Sequence, residues 1–330
     1  MTVDGGPVVT DQPTESAHKG LDPRDTELER LYQAAQLYYE QGATQAEIAQ
    51  QLKVSRPSIS RMLADARALG IVEIRVRRPA PSDMGHLRDE LTEKLGLDAV
   101  YLAPGDQSRR LGPGLVPPTR QALDSVNLRA GDAMLIASGE TTYALAQHRL
   151  GDYSGVVIAP TVGGQAEPDP WHQTNEVVRA FTASSGGYPH YLFAPSMPSE
   201  ALLDALQDDP GYRQIVEDWN TAQVALVGVG APPRTRKSIA RSVPRTHPNV
   251  VKAAGDVCLA FFDDAGNEIS FPGNERMVRI PGSSLHAVPT RIAVAVGTEK
   301  AISILTAARS GWFNILVTDE ETARAITRAL

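Results

Sequence analysis

Two short runs of apolar residues at helical spacing lie between residues 44 and 70. The apolar positions are Ile48, Ala49 and Leu52 in the first run, and Ile59, Met62, Leu63 and Ala66 in the second. Residues three, four and seven positions apart share one face of an α-helix. The pattern therefore predicts two short helices that pack together through their apolar faces.

Polar residues mark the beginning of both predicted helices. Thr44 and Glu47 form the T-x-x-E pattern of a capping box, in which hydroxyl and carboxylate satisfy N–H groups at the helix start. Ser55 can cap the second helix, and Pro57 is tolerated because first-turn N–H groups have no intrahelical acceptor. Only a tight turn fits between the helices, so we predict a helix-turn-helix. A helical hairpin with merely solvated charges is the alternative.

The second predicted helix carries basic and hydroxyl residues near its N-terminus, where such a helix contacts base edges and phosphates in a major groove. Residues 53–78 hold seven basic and two acidic residues, although the whole chain has a net charge of −7. A basic segment on an acidic body predicts double-stranded operator DNA as a partner. The candidate DNA-binding residues are Thr44, Ser55, Arg56, Pro57, Ser58, Ser60, Arg61 and Arg75.

The flanks complete this N-terminal region. Residues 1–24 combine Gly and Pro with polar residues and are predicted to form a disordered tail. An amphipathic helix is then predicted from Leu28, Leu31, Ala35 and Tyr38, and it ends near Gly42.

Residues 71–78, IVEIRVRR, follow Gly70 and read as a β-strand. Its Arg75, Arg77 and Arg78 would be available for phosphate contacts that fix position without reading sequence. The sequence thus predicts a winged helix-turn-helix over residues 25–78.

From residue 79 the pattern changes to short apolar runs that alternate with helical segments. The runs of buried-strand type are 98–104, 133–138, 155–161, 188–194, 222–230, 291–297 and 313–319. Such alternation predicts an α/β, Rossmann-like domain with a mostly parallel sheet, in which ligands bind at the carboxyl ends of the strands. We assign residues 79–96 to a linker and helix and 97–330 to this domain, with loops at 104–118 and 231–249.

Composition narrows the class of protein. The 330 residues favour two domains, and 42% hydrophobic with 22% charged residues is ordinary for a soluble chain. We expect a cytoplasmic protein without a membrane partner, because neither a long apolar run nor a signal peptide is recognisable. The single cysteine, Cys258, lies in the apolar run VCLAFF, which favours a buried thiol over a nucleophile. We predict no metal site and no cofactor.

Glycines follow three of the predicted strands. The run AMLIAS leads into the segment 139–142, GETT, and then into a helix. Free N–H groups, the helix dipole and threonine hydroxyls there favour an anion, most obviously a phosphate. The pair Gly163 and Gly164 follows the next strand, and Gly228 and Gly230 follow a later one.

Glu299 and Lys300 begin another predicted helix. A lysine in a first turn is unfavourable for the helix dipole, which suggests that it binds a ligand, with a solvated side chain as the alternative.

Several segments closely resemble the SorC family of bacterial sugar-responsive transcription regulators. They are residues 37–76, VVIAPTVGG at 156–164, ALVGVG at 225–230, AAGDVCLAFFDDAGNEI at 253–269, and 291–326. The resemblance implies a tetrameric regulator of a carbohydrate or polyol catabolic operon. Its C-terminal domain would share the fold of sugar-phosphate isomerases and glucosamine phosphate deaminases. That domain would bind a phosphorylated sugar or polyol and alter operator binding.

The resemblance also implies a set of effector-binding residues. They are Ser138, Gly139, Glu140, Thr141, Thr142, Gly163, Gly164, Gln173, Asn175, Asp256 and Lys300. Val162 replaces a basic residue of some relatives, which argues against a second phosphate contact and hence against a bisphosphate effector. The segment with Pro113, Pro117 and Pro118 looks less helical than in relatives. A basic loop with Arg234, Arg236, Lys237 and Arg241 would either contact an anion or simply be solvated.

The alternative function is a sugar-phosphate isomerase or deaminase fused to a DNA-binding domain. Such an enzyme needs a general base beside the sugar. Asp263 and Asp264 are the obvious carboxylates, yet D-A-G-N is a strong turn sequence. The histidines at 148, 172 and 190 lie away from the glycine-bearing strand ends. We therefore predict a sensor without catalytic residues.

Overall fold

The computed structural model describes residues 23–72, 81–109, 111–236 and 240–330. The chain divides into two compact units, Met1–Arg78 and Pro79–Leu330. Most of the predicted tail, most of the predicted strand with Arg75, Arg77 and Arg78, and Lys237 lie outside the described residues.

The first unit contains three helices in its described part. They are α1 (Pro23–Tyr39), α2 (Gln45–Gln51) and α3 (Arg56–Ala68). Their shared core comprises Leu31, Ala34, Ala35, Ile48, Ala49, Ile59, Leu63 and Ala66, with Met62 packed against it. The apolar faces predicted for α2 and α3 are thus buried, apart from Leu52 and Met62 at the margin.

The buried face of α1 differs from the predicted one. Leu28 and Tyr38 are exposed, so the prediction was wrong at both ends of the helix. Leu31, Ala34 and Ala35 form the contact instead, because small side chains at 34 and 35 allow a close approach of the other helices.

The connection between α2 and α3 is only four residues long. Lys53 adopts a left-handed conformation, with φ 53°, which turns the chain sharply. Gly42 and Gly70, with φ 70° and 73°, follow α1 and α3 in the conformation that glycine adopts at helix ends.

The second unit is built on a parallel sheet. In chain order its strands are β1 (Ala99–Ala103), β2 (Ala133–Ile136), β3 (Val157–Pro160), β4 (Tyr188–Pro189), β5 (Val224–Val227), β6 (Gly255–Val257), β7 (Ala260–Phe262), β8 (Thr290–Val294) and β9 (Ile315–Asp319). Seven strands pair in the order β1-β9-β8-β5-β2-β3-β4, and every neighbouring pair is parallel. The predicted α/β domain with a mostly parallel sheet is confirmed.

Helices cover both faces of the sheet. They are α4 (Pro81–Leu95), α5 (Val116–Asp124), α6 (Glu140–Ala146), α7 (Thr174–Ser185), α8 (Glu200–Asp208), α9 (Pro210–Thr221), α10 (Pro248–Lys252), α11 (Gly282–Ala287), α12 (Ala301–Arg309) and α13 (Glu320–Ala329). Successive strand residues alternate between two cores: Leu135 and Leu316 pack on one face, Met134 and Val317 on the other. This two-sided burial explains why the strands read as continuous apolar runs.

Two segments depart from the predictions. The run 188–194 forms only the two-residue strand β4, because Pro189 lacks an N–H group and the Asn175 side chain binds both backbone groups of Leu192. Helix α5 begins at Val116 and includes Pro117 and Pro118, so the loop predicted through residue 118 was wrong. Both prolines lie in the first turn, where a missing N–H costs little.

The hairpin of β6 and β7 stands apart from the large sheet. Its two-residue turn, Cys258 and Leu259, has φ values of 51° and 60°. Asp263 follows the hairpin, and its Oδ1 accepts the N–H groups of Ala265 and Asn267, each at 2.9 Å. The D-A-G-N segment is therefore a turn that Asp263 stabilises. Among the helices that the structure describes, none is long and apolar enough to span a bilayer.

Candidate functional site

Thr44 caps α2 through a reciprocal pair of hydrogen bonds. Its Oγ1 accepts the Glu47 N–H at 3.3 Å, and the Glu47 Oε2 accepts the Thr44 N–H at 2.7 Å and its hydroxyl at 2.8 Å. These bonds from Thr44 lower the pKa of Glu47. The predicted capping box is confirmed, and the Thr44 side chain is engaged within its own helix.

The N-terminus of α3 is polar and exposed. Ser55 Oγ accepts the Ser58 N–H at 3.3 Å and caps the helix. The exposed residues of the first two turns include Arg56, Pro57, Ser60 and Arg61, whereas Ser58 is half-buried. The structure thus brings these five predicted residues together on the part of α3 that is not buried against α1 and α2. Arg75 lies outside the described residues.

A cavity of about 600 Å³ lies at the carboxyl ends of the central strands of the second unit, and we call it the strand-end cavity. Segments that follow β2, β5 and β8 line it, together with the β6–β7 hairpin. The predicted effector residues among its lining are Ser138, Gly139, Glu140, Thr141, Thr142, Asp256 and Lys300. Position and lining match the site expected for a parallel α/β sheet.

The loop between β2 and α6 is fixed by local hydrogen bonds. The Gly139 N–H donates to the Trp171 carbonyl at 2.9 Å, and the Thr142 hydroxyl donates to the Gly139 carbonyl at 2.9 Å. Gly139 has φ 141°, a conformation that a side chain would strain. Gln165 Nε2 donates to the Ser138 hydroxyl at 3.1 Å. The loop therefore presents a rigid rim to the cavity.

Two cations and three carboxylates line the cavity among the described residues. Arg236 forms an ion pair with Asp256, and its Nε donates to the Ala231 carbonyl at 2.7 Å. Burial lowers the pKa of Arg236 to about 10. The pKa of Lys300 is also lowered, first by burial and then by the charge of Arg236, while Glu299 and Glu140 act in the opposite direction. Lys300 is half-buried, and both burial and the neighbouring guanidinium disfavour its charged form.

The glycine pair that the resemblance implies does not line the strand-end cavity. A Cβ on Gly163 would lie 2.8 Å from the Ala194 carbonyl oxygen and from backbone atoms of Pro195. The Gly164 N–H donates to the same Ala194 carbonyl at 2.8 Å. In this structure both glycines serve close backbone packing.

Gln173 and Asn175 also lie outside the lining. Gln173 Nε2 donates to the carbonyls of Gln165 and Glu167, at 3.1 and 2.7 Å. Asn175 donates to the Leu192 carbonyl at 3.1 Å and accepts its N–H at 3.0 Å. Gln173 thus holds the loop that carries Gln165, so its link to the cavity is indirect.

The cavity also contains residues that the site prediction missed. They are Ser108, Gln165, Trp171, His172 and Thr235, along with Arg236, which the sequence left undecided. Of the basic loop, Arg234 and Arg241 are exposed and lie outside the lining. The glycine-bearing strand ends were the available signal for Gln165, whereas His172 comes from a 3-10 turn whose position depends on the fold.

Cys258 lines the cavity at the hairpin turn and is buried, which confirms a buried thiol. Burial raises the pKa of its thiol to about 11, against weaker opposing effects of Thr161 and Arg279. A thiol with this pKa is a poor nucleophile at neutral pH.

The end of β9 and the first turn of α13 hold two walls of the cavity from outside. Asp319 accepts the Thr322 N–H and the Gln107 N–H, both at 2.7 Å, and so ties the loop with Ser108 to the sheet. The Thr322 hydroxyl oxygen accepts the Gly297 N–H at 2.8 Å, just before Glu299 and Lys300.

The same helix contacts α4. Arg324 pairs with Glu320 at 2.9 Å and with Asp83 of α4 at 2.5 Å. Glu320 in turn accepts the Gly105 N–H at 3.3 Å.

Residues 80–328 match the family model described as "Putative sugar-binding domain". The chain belongs to this sugar-binding domain family. The match covers the strand-end cavity and the sheet that forms it, so the family assignment and the geometry concern the same part of the chain.

Relatives of similar length extend the likeness beyond that domain. The chain is 29% identical to the deoxyribonucleoside regulator of Bacillus subtilis (strain 168), over 93% of this chain and 100% of the other. It is 26% identical to the sorbitol operon regulator of Klebsiella pneumoniae, over 90% of this chain and 97% of the other.

The crystal structure of the full-length sorbitol operon regulator SorC from Klebsiella pneumoniae superimposes with a TM-score of 0.67. It covers 91% of this chain and 99% of that chain, at 26% identity. The resemblance to SorC-type regulators is confirmed. So is the prediction of a sugar-responsive transcription regulator rather than an enzyme, since these relatives are named as regulators.

Proposed function

We propose that this chain is a DNA-binding regulator of a carbohydrate or polyol operon, and that a phosphorylated sugar or polyol in the strand-end cavity controls its operator affinity. DNA reading is assigned to residues 25–78 and effector binding to residues 97–330, joined through 79–96. The observation that carries the proposal is the position of the half-buried Lys300, together with Arg236, in a cavity lined by hydroxyl and amide groups.

A phosphate suits Lys300 for a physical reason. The ammonium is desolvated and lies near the Arg236 guanidinium, and both effects disfavour its charge. An anionic ligand group relieves both penalties at once. The hydroxyls of Ser138 and Thr141 and the amide of Gln165 supply neutral partners for sugar hydroxyls, and Trp171 supplies an apolar surface.

We assign DNA recognition to α3 of a helix-turn-helix formed by α2 and α3. Its exposed first turns carry two arginines and a serine, while Thr44 and Ser55 fix where the two helices begin. A wing over residues 71–78, with Arg75 on a phosphate, remains part of the proposal.

Arg56→Ala and Arg61→Ala should each weaken operator binding. If the side chain contacts phosphate, the change should also flatten the dependence of log affinity on log salt by about one unit. Arg30→Ala, on an exposed position of α1, is the charge-matched control. Equal effects of all three changes would contradict the assignment to α3.

We also propose a homo-oligomer, with a tetramer as the expected state. Half-sites on DNA are usually read by symmetric pairs of recognition helices, so a single copy would engage only half of a palindromic operator. Analytical ultracentrifugation with and without operator DNA tests this, and a monomer bound to DNA would refute it.

The test of the effector uses operator fragments at fixed salt and matched pairs of compounds, each pair a sugar or polyol with its monophosphate. We expect one monophosphate to change operator affinity while its parent does not, and product analysis should recover the compound intact. Conversion of the compound would favour the isomerase or deaminase alternative. Response to the unphosphorylated parent alone would refute the phosphate assignment.

A further inference from the structure

The Arg236–Asp256 ion pair is an internal feature of the strand-end cavity. The side chains of its two members are only 20% and 10% exposed. The Gly230 N–H donates to the Asp256 carbonyl at 2.9 Å, and Arg236 Nε donates to the Ala231 carbonyl at 2.7 Å. The pair is therefore held by backbone from the end of β5 as well as by its own charges.

Gly230 shows how closely the backbone approaches this pair. A Cβ at position 230 would overlap both the Arg236 guanidinium and the Asp256 carboxylate. Surface ion pairs are loosely packed and exchange partners readily. This pair is instead packed against main chain, which fixes both groups at one place in the cavity wall.

The two cations of the cavity differ in whether an anionic ligand can pair with them. The ionised side chains among its described lining are Arg236, Lys300, Asp256, Glu140 and Glu299. Asp256 neutralises Arg236 inside the wall, which leaves the Lys300 ammonium as the cation that an anionic ligand meets. Glu140 and Glu299 lie close enough to Lys300 to affect its pKa, so a second anionic group would face carboxylates.

We propose that Asp256 determines specificity by occupying Arg236, so that the strand-end cavity accepts ligands with one phosphate group and rejects bisphosphates. The inference rests on the proposed function, because it assumes a phosphorylated effector. It adds the class of effector and assigns the selection to one carboxylate. Asp256 acts here through Arg236 and need not touch the ligand.

Removal of the Asp256 charge should release the Arg236 guanidinium. Arginine binds phosphate through two parallel N–H···O bonds, which are stronger than bonds between neutral groups. In the native cavity Nη2 of Arg236 pairs with Asp256 and Nε donates to the Ala231 carbonyl, so this edge of the guanidinium is already engaged and its charge is neutralised. Asp256→Asn keeps the side-chain shape and one acceptor oxygen, but it frees the guanidinium charge for a second phosphate.

The experiment measures binding of matched probe pairs to the full chain by isothermal titration calorimetry. The probes are fructose 6-phosphate with fructose 1,6-bisphosphate, and ribulose 5-phosphate with ribulose 1,5-bisphosphate. The readout is the ratio of bisphosphate to monophosphate affinity within each pair. Three variants are compared with the wild-type protein: Asp256→Asn, Glu299→Gln, and the double variant Arg236→Gln with Asp256→Asn.

We expect the wild-type protein to bind the monophosphate of a recognised pair at least about tenfold more tightly than its bisphosphate. Asp256→Asn should raise the relative affinity for the bisphosphate by about tenfold or more, the factor expected for one charged hydrogen bond. Glu299→Gln removes the same formal charge without releasing Arg236, so the ratio of bisphosphate to monophosphate affinity should rise clearly less than in Asp256→Asn. The double variant lacks the freed guanidinium and should keep the wild-type preference.

Several results would overturn the inference. A wild-type protein that binds both members of a pair equally refutes it and leaves the proposed phosphate effector intact. A wild-type protein that binds neither these monophosphates nor any monophosphate of the operator-binding panel refutes the phosphate effector and this inference with it. An unchanged ratio in Asp256→Asn, or the same gain in the double variant, shows that Asp256 does not act through Arg236. The wild-type ratio needs no variant and decides the matter even if Asp256→Asn does not fold.

Discussion

Gly163 and Gly164 follow β3, and alanine substitutions at these two positions can show whether the glycines serve close backbone packing or contact the effector. A Cβ on residue 163 would lie 2.8 Å from three backbone atoms of Ala194 and Pro195. A Cβ on residue 164 would meet the Ala194 carbonyl oxygen at 3.8 Å, an ordinary contact. Neither glycine has a left-handed φ, so backbone strain does not enter the comparison.

The magnitude can be worked out from these contacts. Gly163→Ala must displace main chain, and overpacking of this kind costs about 1–3 kcal/mol. Either alanine regains about 0.4–1 kcal/mol through the lower conformational entropy of the unfolded chain. The free energy of unfolding should therefore fall by up to about 2.6 kcal/mol in Gly163→Ala and stay level or rise slightly in Gly164→Ala, so that the two variants differ by about 1–3 kcal/mol.

Thermal unfolding of the two variants, followed by calorimetry at neutral pH, measures the difference. At about 2–4 °C per kcal/mol for a domain of this size, Gly163→Ala should melt about 2–12 °C below Gly164→Ala. Equal melting temperatures would refute the packing argument. Loss of effector response in a stable Gly164→Ala protein would instead favour the ligand contact that the family resemblance implies.

Three further changes test other parts of the structure. Lys300→Met should abolish the response to a phosphorylated effector and leave the melting temperature equal or higher. Because the pKa of Lys300 is lowered, the folded state holds the lysine proton less tightly than the unfolded state does. The charged lysine therefore reduces stability at neutral pH. A clear fall in melting temperature in Lys300→Met would contradict this. The Cys258 thiol should resist iodoacetamide at pH 9 in the folded protein and react in urea, because burial raises its pKa to about 11. The stability that this protonated thiol contributes should be lost as the pH rises from about 9 through 11. Rapid labelling of the native protein at pH 9 would refute the burial. Thr44→Ala should destabilise the first unit by about 1 kcal/mol, which hydrogen exchange should detect as faster exchange in α2. Thr44→Ser keeps the capping hydroxyl and should leave the exchange rates unchanged. Equal exchange in both variants would refute the cap.

Features set by local sequence were predicted well. The capping box of α2, the buried stripe of α3 and six of the seven strands depend on residues within a few positions of one another. The strand predicted over 188–194 is mostly absent because Asn175, 17 positions before Leu192 on α7, binds both backbone groups of that residue. A hydrogen bond from a side chain outside the run cannot be predicted from the apolar pattern of the run itself.

The site was predicted in part for the same reason. The glycine-bearing strand end predicted the loop at 139–142, the start of a helix predicted Lys300, and the family resemblance implied Asp256; all of them line one cavity. The partners that complete the cavity come from far along the chain: Asp319 binds the N–H of Gln107 across 212 positions. The pairing of Arg236 with Asp256 depends on how the segment after β5 meets the hairpin. Neither contact joins residues at a regular spacing, so no sequence pattern could have predicted it.

Helix α13 has a consequence for how mutations in this protein should be interpreted. None of its described residues lines the strand-end cavity, yet Thr322 holds the loop at 297, and Asp319, which ends β9 and caps the helix, holds the loop at 107; these loops shape two of the cavity walls. A survey that ranks positions by distance from the ligand would therefore treat this helix as tolerant. Substitutions in α13 should instead change effector binding, as substitutions in the cavity do. Sequence changes in this helix could therefore alter effector affinity without changing any residue that contacts the effector.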